Sequence, residues 1–182
     1  MQLDFLIRRR GLDPAAETAL HALRDLMHAP IVAAERGTLW RFECDATGDV
    51  PRLQHQLERA ACRAGRYVNT NRDRCHWLEA QTRFGAHDVE GSTVSLWVTH
   101  GDGGDDVGRD YFENAVGSRL RSVRRGVFWA LTTPEPDPQR ARELVLDLAV
   151  TRTRRRGLLL NPHLEQLAVL SVIRNTKPAE AT

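Results

Sequence analysis

The stretch Arg36-Gly37-Thr38-Leu39-Trp40 returns 89 residues later as Arg125-Gly126-Val127-Phe128-Trp129. The arginine, the glycine and the tryptophan hold the same positions in both copies. The elements predicted around each copy also follow one order: strand, helix, strand, strand, helix. The sequence therefore predicts a tandem duplication, in which residues 1–88 form the first repeat and residues 89–182 form the second.

The first repeat begins with alternating apolar residues over 2–8, which are typical of a strand with one buried face. Asp13, followed by a proline, predicts a helix start, because aspartate caps helices and proline suits the first turn. We expect the next two strands, at 31–35 and 38–45, to form a hairpin whose turn is Arg36-Gly37. A second helix then opens at Asp49.

The second repeat shows the same pattern. A strand over 94–98 precedes a loop rich in glycine and aspartate, 101–108, and a helix follows. Short strands at 121–125 and 127–132 surround a turn at Gly126. Each repeat is thus predicted to be a ferredoxin-like β-α-β-β-α-β unit. The expected fold is α+β, with the two units related by a pseudo-twofold axis, because pairing covers the open sheet edge of each.

Charge and cysteine content set limits on the function. The chain has 26 basic and 24 acidic residues, for a net charge of +2, which disfavours a nucleic-acid or membrane-surface partner. No apolar run approaches the roughly 18 residues that a membrane span requires, and the N-terminus does not resemble a signal peptide. Three widely spaced cysteines, Cys44, Cys62 and Cys75, are not a disulfide framework, so we expect a cytoplasmic protein.

Two segments resemble one known family. Leu12-Asp13-Pro14-Ala15-Ala16-Glu17 and the helix that follows resemble the first helix of the PurS family, the small subunits of phosphoribosylformylglycinamidine synthase. Leu158-Leu159-Leu160-Asn161-Pro162-His163-Leu164-Glu165 is similar to the closing signature of that family. In the second repeat, Asp106-Val107-Gly108 stands where the family has its aspartate-proline-x-glycine segment, but without the proline. The first repeat keeps only Asn71 of the closing signature.

The resemblance implies a non-catalytic role, without a cofactor or a metal ion. PurS proteins bridge an ATP-using synthetase subunit and a glutaminase subunit in purine biosynthesis, and they dimerise, so a fused pair resembles a covalent dimer that is itself open to homo-oligomer formation. The sequence has no phosphate-binding loop, nucleophile elbow or HExxH motif. A small-molecule-sensing or regulatory module on the same fold is the alternative.

The candidate contact residues come from the segments that carry the resemblance. An arginine tract, 152–156, precedes a turn that Pro162 fixes, because proline excludes Asn161 from the helical region. Arg154, Arg155 and Asn161 are therefore candidates for partner or substrate contact. The alternative is that the tract only complements the negative end of a helix dipole. Further candidates, placed by the family pattern, are Asp13, Asp106 and Gly108.

Other residues have simpler interpretations. The glycine loop 101–108 precedes a helix, as phosphate-binding loops do, but its aspartates would repel an anion. His55, Cys62, Cys75 and His76 lack the spacing of a zinc knuckle, and adjacent residues of a strand, such as Cys75 and His76, point to opposite faces. The matched set is assigned a structural role in the repeat turns and in packing. It consists of Arg36, Gly37, Trp40, Arg125, Gly126 and Trp129.

Overall fold

The computed structural model describes residues 1–45, 49–79, 82, 84–85, 89–100, 108–150 and 157–175. These residues form an α+β fold with one six-stranded antiparallel sheet and four α-helices. None of the helices in these ranges is long and apolar enough to cross a membrane.

Each half of the chain contributes three strands and two helices in the order β-α-β-α-β. In the first half these are β1 (Gln2–Arg9), α1 (Pro14–His21), β2 (Ala33–Cys44), α2 (Val50–Cys62) and β3 (Asp73–Trp77). In the second half they are β4 (Gly91–His100), α3 (Arg109–Val116), β5 (Leu120–Thr133), α4 (Pro138–Ala149) and β6 (Glu165–Asn175). The strand order in the sheet is β3-β1-β2-β5-β4-β6, so the halves join where β2 pairs with β5.

The expected hairpins are wrong, and with them the β-α-β-β-α-β order. β2 and β5 are single uninterrupted strands, and Gly37 and Gly126 lie in their interiors rather than in turns. The glycines serve close packing instead. A Cβ at Gly37 would lie 2.7 Å from the carbonyl oxygen of Ile7, and one at Gly126 would lie closer still to that of Val98. Glycine is needed here because the neighbouring backbone approaches too closely for a side chain.

The two matched stretches pair with each other across the centre of the sheet. Arg36 lies opposite Trp129, Thr38 opposite Val127, and Trp40 opposite Arg125. The pairing register is therefore symmetric about the Thr38–Val127 pair. If each residue is replaced by its counterpart 89 positions away in the other half, the same set of pairs results.

Cross-strand contacts explain which residues are repeated. The Arg36 guanidinium lies 5.7 Å from the ring centroid of Trp129, and that of Arg125 lies 5.4 Å from the ring centroid of Trp40. Both tryptophans are buried. A guanidinium over an indole ring is stabilising by cation–π attraction, so each half supplies the cation for the aromatic ring of the other.

One hydrophobic core lies under α1 and α4. Leu20 of α1 packs in the same cluster as Val94 and Leu96 of β4 and Val145 of α4, as does Leu23 in the π-helical turn that directly follows α1. Helix α1 therefore belongs to the first half in sequence but contributes to a core built mainly from the second half.

The other core on this face mirrors that arrangement. Phe112 of α3 packs with Phe5 of β1, Trp40 of β2 and Leu57 of α2, and its ring centroid is 5.3 Å from that of Trp40. The halves thus exchange a helix, and neither core is complete without residues of both. On the opposite face of the sheet, Phe84 from the segment between the halves packs against Phe128, with ring centroids 4.8 Å apart.

We expect Gly37→Ala and Gly126→Ala each to destabilise the fold by about 1–3 kcal/mol, because the new methyl group would press on a neighbouring strand. Thermal unfolding would show this as a lowered Tm. Gly11→Ala is the matched control, since nothing lies within 4 Å of a Cβ at that position. Equal Tm values for all three variants would contradict the close-packing role.

Candidate docking surface

The start of α1 is fixed by two interactions of Asp13. Its carboxylate accepts a hydrogen bond from the backbone N–H of Ala15 at 3.0 Å, which caps the helix. The same carboxylate lies 3.7 Å from the guanidinium of Arg36, which also stacks on Trp129. Asp13 therefore links the first turn of α1 to the central pair of strands, β2 and β5. Its role at this surface is structural.

The segment after α4 is held against that helix. The backbone N–H of Leu158 donates to the carbonyl of Leu148, and that of Leu159 donates to the carbonyl of Ala149, at 3.1 and 3.0 Å. Leu160 then forms an isolated parallel bridge with Val150. These bonds place the exposed side chain of Leu158 at a defined position beside α4.

Asn161 forms the turn that leads into β6. Its side-chain oxygen accepts from the N–H of His163 at 3.1 Å, and its carbonyl accepts from the N–H groups of Leu164 and Glu165. The Glu165 carboxylate in turn accepts from the N–H of Asn161 at 2.8 Å. Asn161 is exposed, so the structure shows a turn-forming residue that stays accessible.

An open apolar groove of about 460 Å³ lies between the outer face of α1 and the segment after α4. Trp129, Leu158 and Leu159 form one side of it. The other side is lined by four residues of α1, Pro14, Ala15, Thr18 and Ala19, and by Ala22, which directly follows the helix. The Thr18 hydroxyl donates to the carbonyl of Pro14 at 2.7 Å, so the groove surface offers apolar contact and little hydrogen bonding.

One leucine that lines the groove, and a second just before α1, are unusually accessible. The exposed fraction of Leu158, which lines the groove, is 43%, and that of Leu12, just before the cap of α1, is 79%. Exposed apolar surface gathered at a groove is typical of a protein–protein contact site. Apart from Thr18, the side chains that line this groove among the described residues are apolar, so the groove offers a surface for apolar contacts.

Of the remaining predicted contact residues, only Gly108 lies within the described part of the chain, and it does not line this groove. Gly108 caps α3 with a left-handed φ of 80°, and a Cβ there would lie 2.7 Å from the hydroxyl oxygen of Tyr67. It therefore lies at the start of a helix of the other core. Asp106, Arg154 and Arg155 lie outside the described residues.

Sequence reasoning missed the groove itself, although α1 carries a signal for it. Ala15, Thr18 and Ala22 recur at helical spacing beside the core stripe of Ala16 and Leu23. Such small residues leave room on the outer face of a helix. The sequence of α1 does not show which segment lies opposite these small residues. That depends on α1 packing in the core of the second half.

Cys75 and His76 lie on opposite faces of β3, as adjacent residues of a strand do. In β3, Cys75 lies opposite Ile7 and packs against the core that contains α2, whereas His76 lies opposite Leu6 on the other face. Burial raises the pKa of Cys75 to about 12, helped by the neighbouring Cys62, and burial also lowers the pKa of His76. These two residues therefore cannot act together as nucleophile and base. No group of three potential metal ligands occurs within the described ranges.

Comparison with known proteins does not identify a family for this chain. No family model matches the chain, and no curated protein matches it either.

We expect Cys75 to resist alkylation. A thiol pKa raised from 9.0 to about 12 lowers the thiolate fraction at pH 8.5 by about two to three orders of magnitude, and the thiolate is the reactive form. Iodoacetamide labelling followed by mass spectrometry should show Cys75 reacting far more slowly in the folded chain than in urea. Because the unfolded thiol ionises first, its contribution to stability is lost as the pH rises from about 9 towards 12. Equal labelling rates in the two states would contradict this.

Proposed function

We propose that this protein is a non-catalytic bridging subunit of a phosphoribosylformylglycinamidine synthase-like complex. Its partners are then an ATP-using synthetase subunit and a glutaminase subunit. The observation that carries the proposal is the meeting of two distant segments. The PurS-like helix start near Asp13 and the PurS-like signature from Leu158 are far apart in sequence, yet they form the two sides of one groove.

We further propose that residues 1–88 and 89–182 are diverged copies of one β-α-β-α-β unit, related by a pseudo-twofold axis. Three features support this: the shared β-α-β-α-β order, the symmetric register about Thr38 and Val127, and the reciprocal exchange of α1 and α3. An exchange of this kind is what fusion of a helix-swapped dimer would produce. The fused form keeps both copies present in equal amount and fixes their orientation.

The groove suits a bridging role because its binding energy would come from apolar burial. Covering exposed leucine surface yields about 25 cal/mol per Å², without the desolvation cost of charged groups. A partner that inserts apolar side chains between α1 and Leu158 is thereby held close to Asn161 and the turn into β6. A rigid platform of this type can position two larger subunits without taking part in their chemistry.

One observation favours the alternative of a small-molecule-sensing module. A cleft of about 880 Å³ between α2 and α3 is lined by Arg59, Arg63 and Tyr111. The side-chain oxygen of Gln56, which also lines it, is buried and has no hydrogen-bond partner among the described residues. Two exposed guanidinium groups beside an unused buried acceptor are suited to an anionic ligand that also carries a donor group.

We expect Thr18→Arg to weaken partner binding at least tenfold, because the long side chain fills the groove. His55→Arg is the matched control, since His55 is equally exposed but lies on α2, away from the groove. Both variants should keep their Tm within a few degrees, because exposed helix substitutions cost little. Tagged protein would be used to capture the synthetase and glutaminase from the source organism, with mass spectrometric identification. Equal capture by the two variants would exclude the groove.

We also expect the purified chain alone to hydrolyse neither ATP nor glutamine. The groove is lined by apolar residues and Thr18, and Cys75 and His76 lie on opposite faces of β3, so neither offers a nucleophile next to a base. Phosphate release and glutamate formation would be measured with and without the captured partner subunits. Turnover by the chain alone would overturn the bridging proposal. A raised Tm with inorganic phosphate or nucleotides, abolished by Arg59→Ala and Arg63→Ala, would favour the sensing alternative instead.

A further inference from the structure

Strand β6 ends the sheet with a long unpaired edge. Its eleven residues, Glu165–Asn175, pair with β4 on one side, and within the described part of the chain no strand pairs with the other side. The free side presents a row of backbone donors and acceptors. Such an edge is a template for another strand unless the protein blocks it.

The opposite edge of the sheet is protected in the usual way, whereas β6 is not. β3 has only five residues and includes Asp73, Arg74 and His76. β6 has no charged residue between Glu165 and Arg174. Short length and charge discourage strand addition, so the two equivalent edges differ in the property that controls association.

A β-bulge gives the β6 edge an unusual symmetry. Ser171 pairs with Ser95 and Val169 pairs with Leu96, so Leu170 is an extra residue in β6. The side-chain alternation therefore shifts by one position at Leu170. As a result Glu165 and Arg174, which pure alternation would place on opposite faces, both lie on the helix-covered face.

We propose that β6 is a self-association edge, at which a second copy of this chain pairs antiparallel about a twofold axis through the bulge. In this register Glu165 lies opposite Arg174 of the second copy, and the same pair forms again at the other end. Leu167 then lies opposite Val172 on the helix-covered face, and Ala168 opposite Ser171 on the other face. The two sheets become one sheet of twelve strands. This inference is independent of the proposed function.

The bulge is what makes this register consistent on both faces. A twofold axis perpendicular to the sheet keeps each side chain on its own face, so opposed residues must already share a face. Without the extra residue, a register that pairs Glu165 with Arg174 would oppose residues of different faces. Charge complementarity at both ends and face matching at every pair outside the bulge therefore select the same alignment, and only Val169 and Leu170, at the twofold axis, oppose each other from different faces.

The half-exposed apolar side chains of β6 would be further buried by the second copy. Leu167, Val169 and Val172 are only partly buried, although each packs against the core under α1 and α4. A second β6 in the stated register would extend that apolar surface across the interface. Apolar cross-strand neighbours are a main source of stability between paired strands.

The test is a charge exchange measured by sedimentation and by light scattering across a range of concentrations. Wild-type protein should form a dimer of about 41 kDa from the 20.6 kDa chain. Glu165→Arg and Arg174→Glu should each raise the dimer Kd about tenfold or more, because like charges then oppose each other twice per dimer. The double variant should restore the dimer. Mixing the two single variants should give a heterodimer, in which both pairs are again complementary.

Two controls keep the result interpretable. Arg74→Glu changes the same kind of charge on the β3 edge and should leave the dimer unchanged. Glu165 also accepts from the N–H of Asn161, so circular dichroism and the Arg174→Glu variant separate local unfolding from lost association. The proposal is overturned if wild-type protein is monomeric throughout. It is equally overturned if neither the double variant nor the mixture recovers the dimer.

Discussion

The antiparallel pairing of β2 with β5 is the interaction on which the rest of the fold depends. It joins the two three-stranded halves into one sheet and brings the repeated arginine of each half over the tryptophan of the other. Neighbouring strands approach closely at Gly37 and Gly126, and this close approach sets how β1 lies against β2 and how β4 lies against β5. Because the strands of both halves are continuous here, α1 and α3 can reach across and complete opposite cores.

The face of the sheet without helices carries charge pairs beside its small apolar cluster around Phe84 and Phe128. Arg41 makes two hydrogen bonds of 2.8 Å to the Asp4 carboxylate, while Arg124 pairs with Glu43. Both guanidinium groups also lie over Trp97, at 4.3 and 5.6 Å from its ring centroid. A hydrogen bond from Ser122, followed by Arg124, lowers the pKa of Glu43, so this carboxylate stays charged. The pairs thereby shield an indole ring that the helices cannot cover.

Local signals in the sequence predicted much of the fold. Asp13 and Asp49 cap α1 and α2 as expected, and Asp137 caps α4 in the same way, because capping depends only on residues within one turn. The strand expected at 2–8 corresponds to β1, and the last strand of the first half lies at β3. The glycine of each matched stretch was misinterpreted, since a glycine in a turn and a glycine beneath a neighbouring strand look alike in sequence. Only the partner strand distinguishes them.

The candidate site was less accessible to such reasoning. Asp13 and the signature that begins at Leu158 could be selected one at a time, but the groove between α1 and that signature exists because α1 packs in the core of the second half. No periodicity within α1 specifies that crossing. The exchange of helices between the cores also explains why the groove lies between a helix of the first half and a segment of the second half.

The central pairing also bears on how the chain is made. β2 is complete once Cys44 has been synthesised, but its partner β5 ends only at Thr133, 89 residues later. At roughly 5–20 residues per second, the inner edge of β2 waits about 4 to 18 seconds on the ribosome before its partner exists. During that time α1 can lie on β2, but the residues of β4, β5 and α4 that complete its core have not yet been made. The nascent first half is therefore a natural client for chaperones that shield unpaired strands and apolar helices.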